Sequence, residues 1–322
     1  MSNFWRKLKK PILVLAPMAD VTDVSFRYVI AKYGKPDVMW TEFVSADGLV
    51  LAPEAGRKKL LKDLEYSEIE RPIVAQLFSS KPDNMRKACA LVRELGFDGV
   101  DINMGCPDKG IEKQGCGSAM IKNPELAKEI IMAAKEGVGD LPVSVKTRLG
   151  YNKDELETWL PELLSANPTV ITIHARTRKE MSKVPARWER IKRAVEIRNE
   201  LKSETLIFGN GDVKDIEDAK EKVKETGCDG IMLGRAIFGN PWLFSKNKNI
   251  NIKEKLRVLL EHTRIFEEKL GGVKNFVLMK KHFKSYIGEF VGAKDLRTKL
   301  METENGDQVE EIINEFLINF ED

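Results

Sequence analysis

The first three quarters of the chain alternate between short apolar, β-branched segments and longer segments with helical periodicity. Such short apolar runs are typical of strands that are buried on both faces, as in a parallel sheet. Eight strand–helix units in a chain of this length favour a closed (β/α)₈ TIM barrel, an α/β fold, over an open doubly wound sheet. The strands are predicted at 12–18, 38–43, 73–78, 99–104, 143–148, 170–176, 205–210 and 230–235.

Capping residues and glycines predict where several of the intervening helices begin and end. The signals are a polar residue at the N-cap, proline in the first turn and glycine after the last turn. A helix is also predicted over 23–33, whereas 44–70 has no regular pattern. The predicted ends are a capping box at Ser80 and a stop at Gly96, an N-cap at Asn123 and a stop at Gly137, and a stop at Gly227 after a helix over 213–226.

The pattern changes after the eighth predicted strand. Residues 252–320 contain no strand-like run and show helical periodicity throughout, which predicts a domain of three or four helices. The polar segment 246–251 is typical of a linker between domains. The chain is therefore predicted to consist of a catalytic barrel domain over 1–245 and a small all-helical domain over 252–322.

Composition and charge narrow the classes of protein that the pattern allows. The 322 residues are 42% hydrophobic and 32% charged, which is typical of a globular protein. No apolar run approaches the roughly 20 residues of a membrane helix, and the basic N-terminus lacks a signal-peptide core, so a cytoplasmic protein is expected. The net charge of only +3 means that affinity for nucleic acid would require a local basic patch. The three histidines are not spaced as metal ligands, so no metal site is predicted.

Polar and glycine residues collect where the predicted strands end. In (β/α)₈ barrels the chemistry takes place at the carboxyl ends of the strands. A single polar residue there can be a satisfied core group or a helix cap, but stability does not require such residues on all eight strands. The strand ends carry Pro17 and Met18, Glu42, Gln76, Asn103 and Cys106, Lys146 and Arg148, His174 and Arg176, Asn210 and Gly211, and Gly234 and Arg235.

The last two strand ends indicate a phosphate site. Barrels commonly bind phosphate with the loops after strands seven and eight. The turn 209–212 lets backbone N–H groups approach an anion, and Arg235 adds a charged donor, although the glycines alone also suit a tight turn. Lys146 and His174 lie at the ends of neighbouring predicted strands. Together they favour a site that stabilises negative charge on a reduced cofactor or an enolate. Taken alone, His174 is equally consistent with a hydrogen-bonded core histidine.

Two cysteines lie in the glycine-rich loop after the fourth strand. Most cysteines are inert and buried, but a loop over the mouth of a barrel favours an exposed, reactive thiol. Cys106 and Cys116 both lie in this loop, and their spacing does not distinguish between them.

The ordered motifs resemble those of the tRNA-dihydrouridine synthases. The resemblance spans the barrel and depends most on Asn-Met-Gly-Cys-Pro at 103–107, Lys-Thr-Arg at 146–148 and His-Ala-Arg at 174–176. It implies an FMN enzyme that reduces a uridine of tRNA with NADPH. Cys106 matches the cysteine that protonates C5 of the base, whereas the family usually has a small residue at the position of Cys116.

The resemblance also implies roles for the remaining strand-end residues. Pro17, Met18, Gln76, Lys146 and His174 match contacts to the flavin ring, and Asn210, Gly211, Asp212, Gly234 and Arg235 are expected to hold its phosphate. Asn103, Arg148 and Arg176 match positions near the substrate, and Arg178 belongs to a basic segment after strand six that is expected to contact tRNA.

A second basic surface is expected on the helical domain. Residues 269–299 contain eight lysines and arginines against only Glu289 and Asp295, while 302–322 is strongly acidic. We expect phosphate contacts from this segment, although charge runs are commonly solvated helix faces. The alternatives are another FMN barrel that acts on a small molecule, and a tRNA-binding protein without catalysis. The protein is expected to be a monomer.

Overall fold

The computed structural model describes residues 3–246, 249–288, 290–318 and 320. Its centre is a sheet of eight parallel strands in the order β1-β8-β7-β6-β5-β4-β3-β2. A parallel bridge between Val14 and Val38 joins the first and last strands of this order, which closes the sheet on itself. The predicted TIM barrel is therefore confirmed. The strands are β1 Ile12–Leu15, β2 Met39–Ser45, β3 Ile73–Phe78, β4 Gly99–Met104, β5 Val143–Arg148, β6 Val170–His174, β7 Leu206–Asn210 and β8 Gly230–Leu233.

Several predicted strands end earlier in the structure. Residues 16–18, 175–176 and 234 lie in loops beyond β1, β6 and β8, and Arg235 begins a 3₁₀ helix at Arg235–Ile237. After β1 the reason is Pro17, because proline has no N–H to donate to a neighbouring strand. These residues consequently line the mouth of the barrel rather than its wall.

Helices surround the sheet, and four further helices follow β8. The irregular segment 44–70 contains two short helices and a 3₁₀ turn at Glu68–Glu70. The barrel helices are α1 Val24–Gly34, α2 Ala46–Leu51, α3 Glu54–Asp63, α4 Pro82–Glu94, α5 Lys109–Lys113, α6 Pro124–Val138, α7 Leu156–Ser165, α8 Trp188–Glu200 and α9 Ile216–Thr226. The C-terminal helices are α10 Ile252–Leu270, α11 Val277–Tyr286, α12 Ala293–Glu302 and α13 Gly306–Ile318.

Two predicted helix ends are wrong. The N-cap of α4 is Lys81, and the Ser80 hydroxyl instead donates to the Gln114 carbonyl at 2.6 Å. Gly137 lies inside α6, where a Cβ would come within 2.2 Å of the Arg86 carbonyl oxygen of α4. This glycine therefore allows two helices to approach closely, and α6 ends at Val138, capped by Gly139 with φ +63°. The predicted stop at Gly227 is confirmed by its left-handed conformation, with φ +70°.

An aromatic plug closes the amino end of the barrel. A 3₁₀ helix at Phe4–Lys7 places Trp5 under the strands, where it is 2% exposed. Its ring lies 5.8 Å from that of Trp40 and 5.6 Å from that of Phe208, centroid to centroid. The inside of the barrel is thus filled by side chains at this end, whereas the chemistry of such barrels takes place at the carboxyl end.

The C-terminal helices share an apolar core with one side of the barrel. This core contains Phe266, Phe283 and Leu296 from the helices together with Val29 and Trp242 from the barrel. Glu261 of α10 also accepts hydrogen bonds from Lys32 and Tyr33 of α1, at 2.7 and 2.6 Å. The helices are therefore packed firmly beside the barrel.

Parts of several predictions lie outside the described residues. They are positions 1 and 2 of the predicted barrel domain, positions 247 and 248 of the predicted linker, Glu289 of the predicted basic segment, and positions 319, 321 and 322 of the predicted helical domain and its acidic segment. Among the described helices, none combines the length and apolar character needed to cross a membrane.

Candidate functional site

A cleft of about 590 Å³ opens at the carboxyl end of the barrel. It lies among the ends of β1, β5, β6, β7 and β8, so residues far apart in sequence meet there. Gln76, Asn103, Cys106, Arg148 and Arg178 are not part of its lining. The predicted site residues that it brings together are Pro17, Met18, Lys146, His174, Arg176, Asn210, Gly211, Asp212, Gly234 and Arg235.

Lys146 is a cation without a carboxylate partner at the base of this cleft. Its Nζ lies 3.4 Å from Asn210 Oδ1, and within the described ranges no carboxylate is at ion-pair distance from it. Asn210 Nδ2 donates to the Met232 carbonyl at 2.8 Å, which turns Oδ1 towards the lysine. Burial, with the nearby Arg148, lowers the pKa of Lys146 to about 8. A partly buried ammonium in this state favours an anionic ligand.

His174 is a neutral hydrogen-bond donor rather than a second cation. Arg176 Nη1 lies 3.1 Å from His174 Nε2. Because a guanidinium only donates, Nε2 must accept, and the ring proton of the neutral imidazole is on Nδ1. Burial, with Arg148 and Lys146 nearby, lowers the pKa of His174 to about 2. At the base of the cleft, Lys146 therefore supplies a positive charge and His174 a neutral N–H donor.

Asp212 links two arginines at the rim of the cleft. Its carboxylate accepts from Arg176 and, at 2.7 Å, from Arg235 Nη2. The side chain of Arg235 is 66% exposed, so it remains accessible to an incoming anion. Gly211 has φ +127°, and a Cβ there would come within 2.9 Å of the Ala186 side chain. Only glycine fits this turn, which supports the predicted phosphate site on geometric grounds.

The structure distinguishes the two cysteines of the loop after β4. Cys106 is partly exposed, whereas Cys89, Cys116 and Cys228 are buried. Cys116 packs against Phe78 and Ile111, and burial raises its pKa to about 11. Burial also raises the pKa of Cys106, so both thiols stay protonated at neutral pH. Cys106 alone combines a protonated thiol with access from the barrel mouth.

Side chains from β4 and from the 3₁₀ helix at Gly117–Lys122 hold the backbone around Cys106. Asn103 Oδ1 accepts from the N–H groups of Gly105 and Cys106, at 3.1 and 2.9 Å. The Cys106 carbonyl accepts from the Ser118 hydroxyl at 2.9 Å. The loop is thus fixed on both sides of the thiol.

The three arginines predicted to bind substrate all bind other parts of the protein. Arg176 is 2% exposed and contacts Asp212, as described above. Arg148 Nε donates to the Gly105 carbonyl at 2.7 Å, and its Nη1 donates to the carbonyls of the loop after β6. Arg178 makes a two-pronged ion pair with Glu112 of α5. These contacts favour a role in holding loops, and substrate contact stays a prediction.

Lys274, from the predicted basic segment, bridges the C-terminal helices and the barrel. Its Nζ lies 2.6 Å from Glu42 and 2.8 Å from Asp63, and its side chain is 15% exposed. Burial opposes the charge of this lysine, but the two carboxylates raise its pKa above the ordinary value. The side chain is therefore not available to a phosphate. Exposed basic residues remain at Lys281, Lys284, Lys294 and Lys299.

Comparisons with solved structures agree with the barrel. Morphinone reductase in complex with tetrahydroNAD superposes with a TM-score of 0.52 and 13% identity, over 74% of this chain and 87% of that one. A 2-naphthoyl-CoA reductase complex gives a TM-score of 0.54 and 13% identity, over 73% of this chain and 49% of that one. At such low identity the likeness shows the fold alone.

Comparisons of sequence are far closer. "Probable tRNA-dihydrouridine synthase 2" of Bacillus subtilis (strain 168) is 43% identical over 98% of this chain and 96% of its own length. "Probable tRNA-dihydrouridine synthase" of Staphylococcus aureus (strain MRSA252) is 40% identical over 98% of this chain and 95% of its own. The family described as dihydrouridine synthase (Dus) matches residues 14–321. The chain therefore belongs to the dihydrouridine synthase family.

Proposed function

We propose that this protein is a tRNA-dihydrouridine synthase that binds FMN in the cleft and reduces the C5–C6 bond of a uridine in tRNA, with NADPH as the reductant. The observation that carries the proposal is Lys146, a half-buried cation with no carboxylate at ion-pair distance among the described residues, in a cleft that ends at the predicted phosphate site around Gly211. Family membership indicates the class of reaction, and these residues provide the charge and the phosphate site that a bound flavin requires.

The residues of the cleft fit a flavin mononucleotide. Arg235, with its exposed guanidinium, and the close backbone at Gly211 and Gly234 would hold the phosphate. Lys146 and the Nδ1–H of His174 would face the polar edge of the ring. The flavin supplies the hydride when bound, and the protein contributes position and charge.

Cys106 would deliver the proton in this reaction. As hydride reaches C6 of the uracil, C5 becomes carbanion-like and the S–H bond of Cys106 breaks to protonate it. The raised pKa keeps the thiol in the acid form before the step. The resulting thiolate then takes a proton from solvent, which reaches it because Cys106 is partly exposed.

Transfer RNA would bind across the mouth and the helical domain. The target base must leave its stack to enter a site at the carboxyl end of the barrel. The exposed lysines of α11 and α12 suit phosphate contacts, which are sequence-independent and sensitive to salt. In this proposal residues 1–245 form the catalytic domain and 252–322 the tRNA-binding domain.

The test is a direct assay on purified protein. The protein should show flavin absorbance and should convert unmodified tRNA to dihydrouridine with NADPH, as read by mass spectrometry. A parallel reaction with NADH tests the choice of reductant. Flavin absorbance with NADPH oxidation by a small electrophilic alkene, but without dihydrouridine, would favour the small-molecule reductase instead.

A further inference from the structure

Asp101 is an acidic residue with no solvent exposure inside the fourth barrel strand. Its Oδ1 accepts from the Ser144 hydroxyl at 2.6 Å, and its Oδ2 accepts from Gln76 Nε2 at 2.6 Å. Acidic side chains are rarely buried so completely unless their partners serve a purpose. The proposed chemistry does not use this carboxylate directly.

The carboxylate determines which way the neighbouring amide groups point. The oxygen and nitrogen ends of an amide have nearly the same shape, but one accepts and the other donates. Because the ionised Asp101 only accepts, Gln76 must turn Nε2 towards it. Gln76 Oε1 then accepts from Asn103 Nδ2, at 3.1 Å.

The same direction continues to the loop of Cys106. Since Asn103 uses Nδ2 towards Gln76, its Oδ1 faces the loop and accepts from the N–H groups of Gly105 and Cys106. The reverse orientation would place an NH₂ group against these two donors. Three links thus connect a buried charge in the barrel wall to the backbone of the proposed acid.

We propose that Asp101 is a positioning residue for Cys106, which acts by fixing the direction of the hydrogen bonds through Gln76 and Asn103. The inference builds on the proposed role of Cys106, but it makes a separate claim about the geometry of the loop. It also determines which end of the Asn103 amide faces the loop and which end faces a bound base. With Oδ1 occupied by the backbone, the second Nδ2 hydrogen is what this side chain offers to a carbonyl oxygen of a bound base.

The first variant removes the charge but keeps the shape. In Asp101→Asn the new amide can turn either end to Gln76, so the direction is no longer imposed. We expect iodoacetamide to alkylate Cys106 about tenfold faster, since the loop loses a hydrogen bond that held it. We also expect kcat for dihydrouridine to fall while the KM for tRNA is retained. Burial raises the pKa of Asp101 to about 6, so the comparison is made in neutral or alkaline buffer, where the wild-type carboxylate is ionised.

A second variant moves the negative charge from position 101 to position 76. In the double variant Asp101→Asn, Gln76→Glu, the new amide donates to the new carboxylate, which also accepts from Asn103 Nδ2. Asn103 keeps its orientation, so the alkylation rate should return to near the wild-type value. Gln76→Glu alone sets two carboxylates against each other and should not behave like the wild type. Because Gln76 is itself a predicted flavin contact, the rescue is judged by alkylation and not by turnover.

The controls separate this inference from simple core packing. Asp229→Asn changes another buried carboxylate that accepts from the backbone, at the amino end of the barrel, and should leave the alkylation of Cys106 unchanged. An unchanged rate in Asp101→Asn, or a double variant that shows no rescue, would overturn the inference. If Asp101→Asn alone does not fold, recovery of a folded double variant with the wild-type rate is the expected result, and failure of that variant counts against it. If the alkylation pattern holds but the wild type forms no dihydrouridine, the proposed function falls and the positioning role stands.

Discussion

The two ends of the barrel belong to the same eight strands but differ in the side chains that fill them. The amino end is filled by the aromatic rings of Trp5, Trp40 and Phe208, all nearly inaccessible to solvent. The carboxyl end instead places Lys146 and Asp101 among buried strands and leaves a cleft of about 590 Å³ above them. Buried charged groups generally cost stability, whereas close aromatic packing adds to it. The difference shows that one end maintains the fold and the other is arranged for a ligand.

Lys146→Met should produce the largest divergence between activity and stability. Loss of the cation at the base of the cleft should lower dihydrouridine formation by about a hundredfold or more, because preorganised charge is a dominant catalytic contribution. The flavin-free protein should not become less stable. Assays of product and denaturant unfolding of the same preparations measure both effects, with the exposed Lys58→Met as the matched control.

The stability gap between the wild type and Lys146→Met should also depend on pH. The folded protein lowers the pKa of Lys146 to about 8 from an ordinary value of 10.5, so the unfolded chain binds more protons between these values. Stability of the wild type should therefore rise relative to the variant as the pH increases through this window. A gap that does not change with pH would contradict the desolvation of this half-buried lysine, which has no carboxylate partner among the described residues.

Trp5→Ala should have the opposite effect to Lys146→Met. Removal of a buried tryptophan should lower the free energy of unfolding by about 3 kcal/mol, since it leaves a cavity against Trp40 and Phe208. Turnover per folded molecule should stay at the wild-type level. Chemical denaturation followed by fluorescence gives the first quantity, and Leu201→Ala, at an exposed position, is the control. A loss of turnover in folded protein would show that the two ends are not independent.

Arg235→Ala should have the smallest of these effects and the most specific one. Without the exposed guanidinium, FMN should bind about tenfold more weakly, while riboflavin, which has no phosphate, should bind as before. Fluorescence titration of flavin-free protein with both ligands measures the difference. Arg6→Ala, at an exposed arginine of the amino end, should change neither affinity.

The barrel could be predicted from the sequence because its signals are local. Apolar runs mark the strands, and polar residues mark the ends at which they meet. The signals were ambiguous where one residue type serves two purposes, as for Gly137, which lies at a close helix contact rather than at a helix end. Lys274 was predicted to contact phosphate because its charge is visible in the sequence, whereas its partners Glu42 and Asp63 are distant in the chain.

The sequence predicts which residues form the candidate site, but it does not predict the hydrogen bonds and ion pairs that join them. Cys106 and Cys116 are equivalent by spacing; the family resemblance favours Cys106, and burial in the folded chain distinguishes the two thiols physically. Asp101 was overlooked, although an acidic residue within an apolar strand is itself a signal. The proposed role of Asp101 depends on its hydrogen bond to Gln76 and on the next one, to Asn103. Gln76 lies on the neighbouring strand β3, and Asn103 lies two residues further along β4.

The central claim, that the carboxyl end of this barrel reduces a tRNA uridine with Cys106 as the acid, is tested most directly by one comparison. Dihydrouridine in unmodified tRNA is measured by mass spectrometry after single turnover with the wild type, Cys106→Ala and Cys116→Ala. General acids contribute about 10²–10⁴-fold to such steps, so Cys106→Ala should lose activity on that scale while Cys116→Ala stays close to the wild type. Normal product from Cys106→Ala, or an equal loss in both variants, would contradict the account.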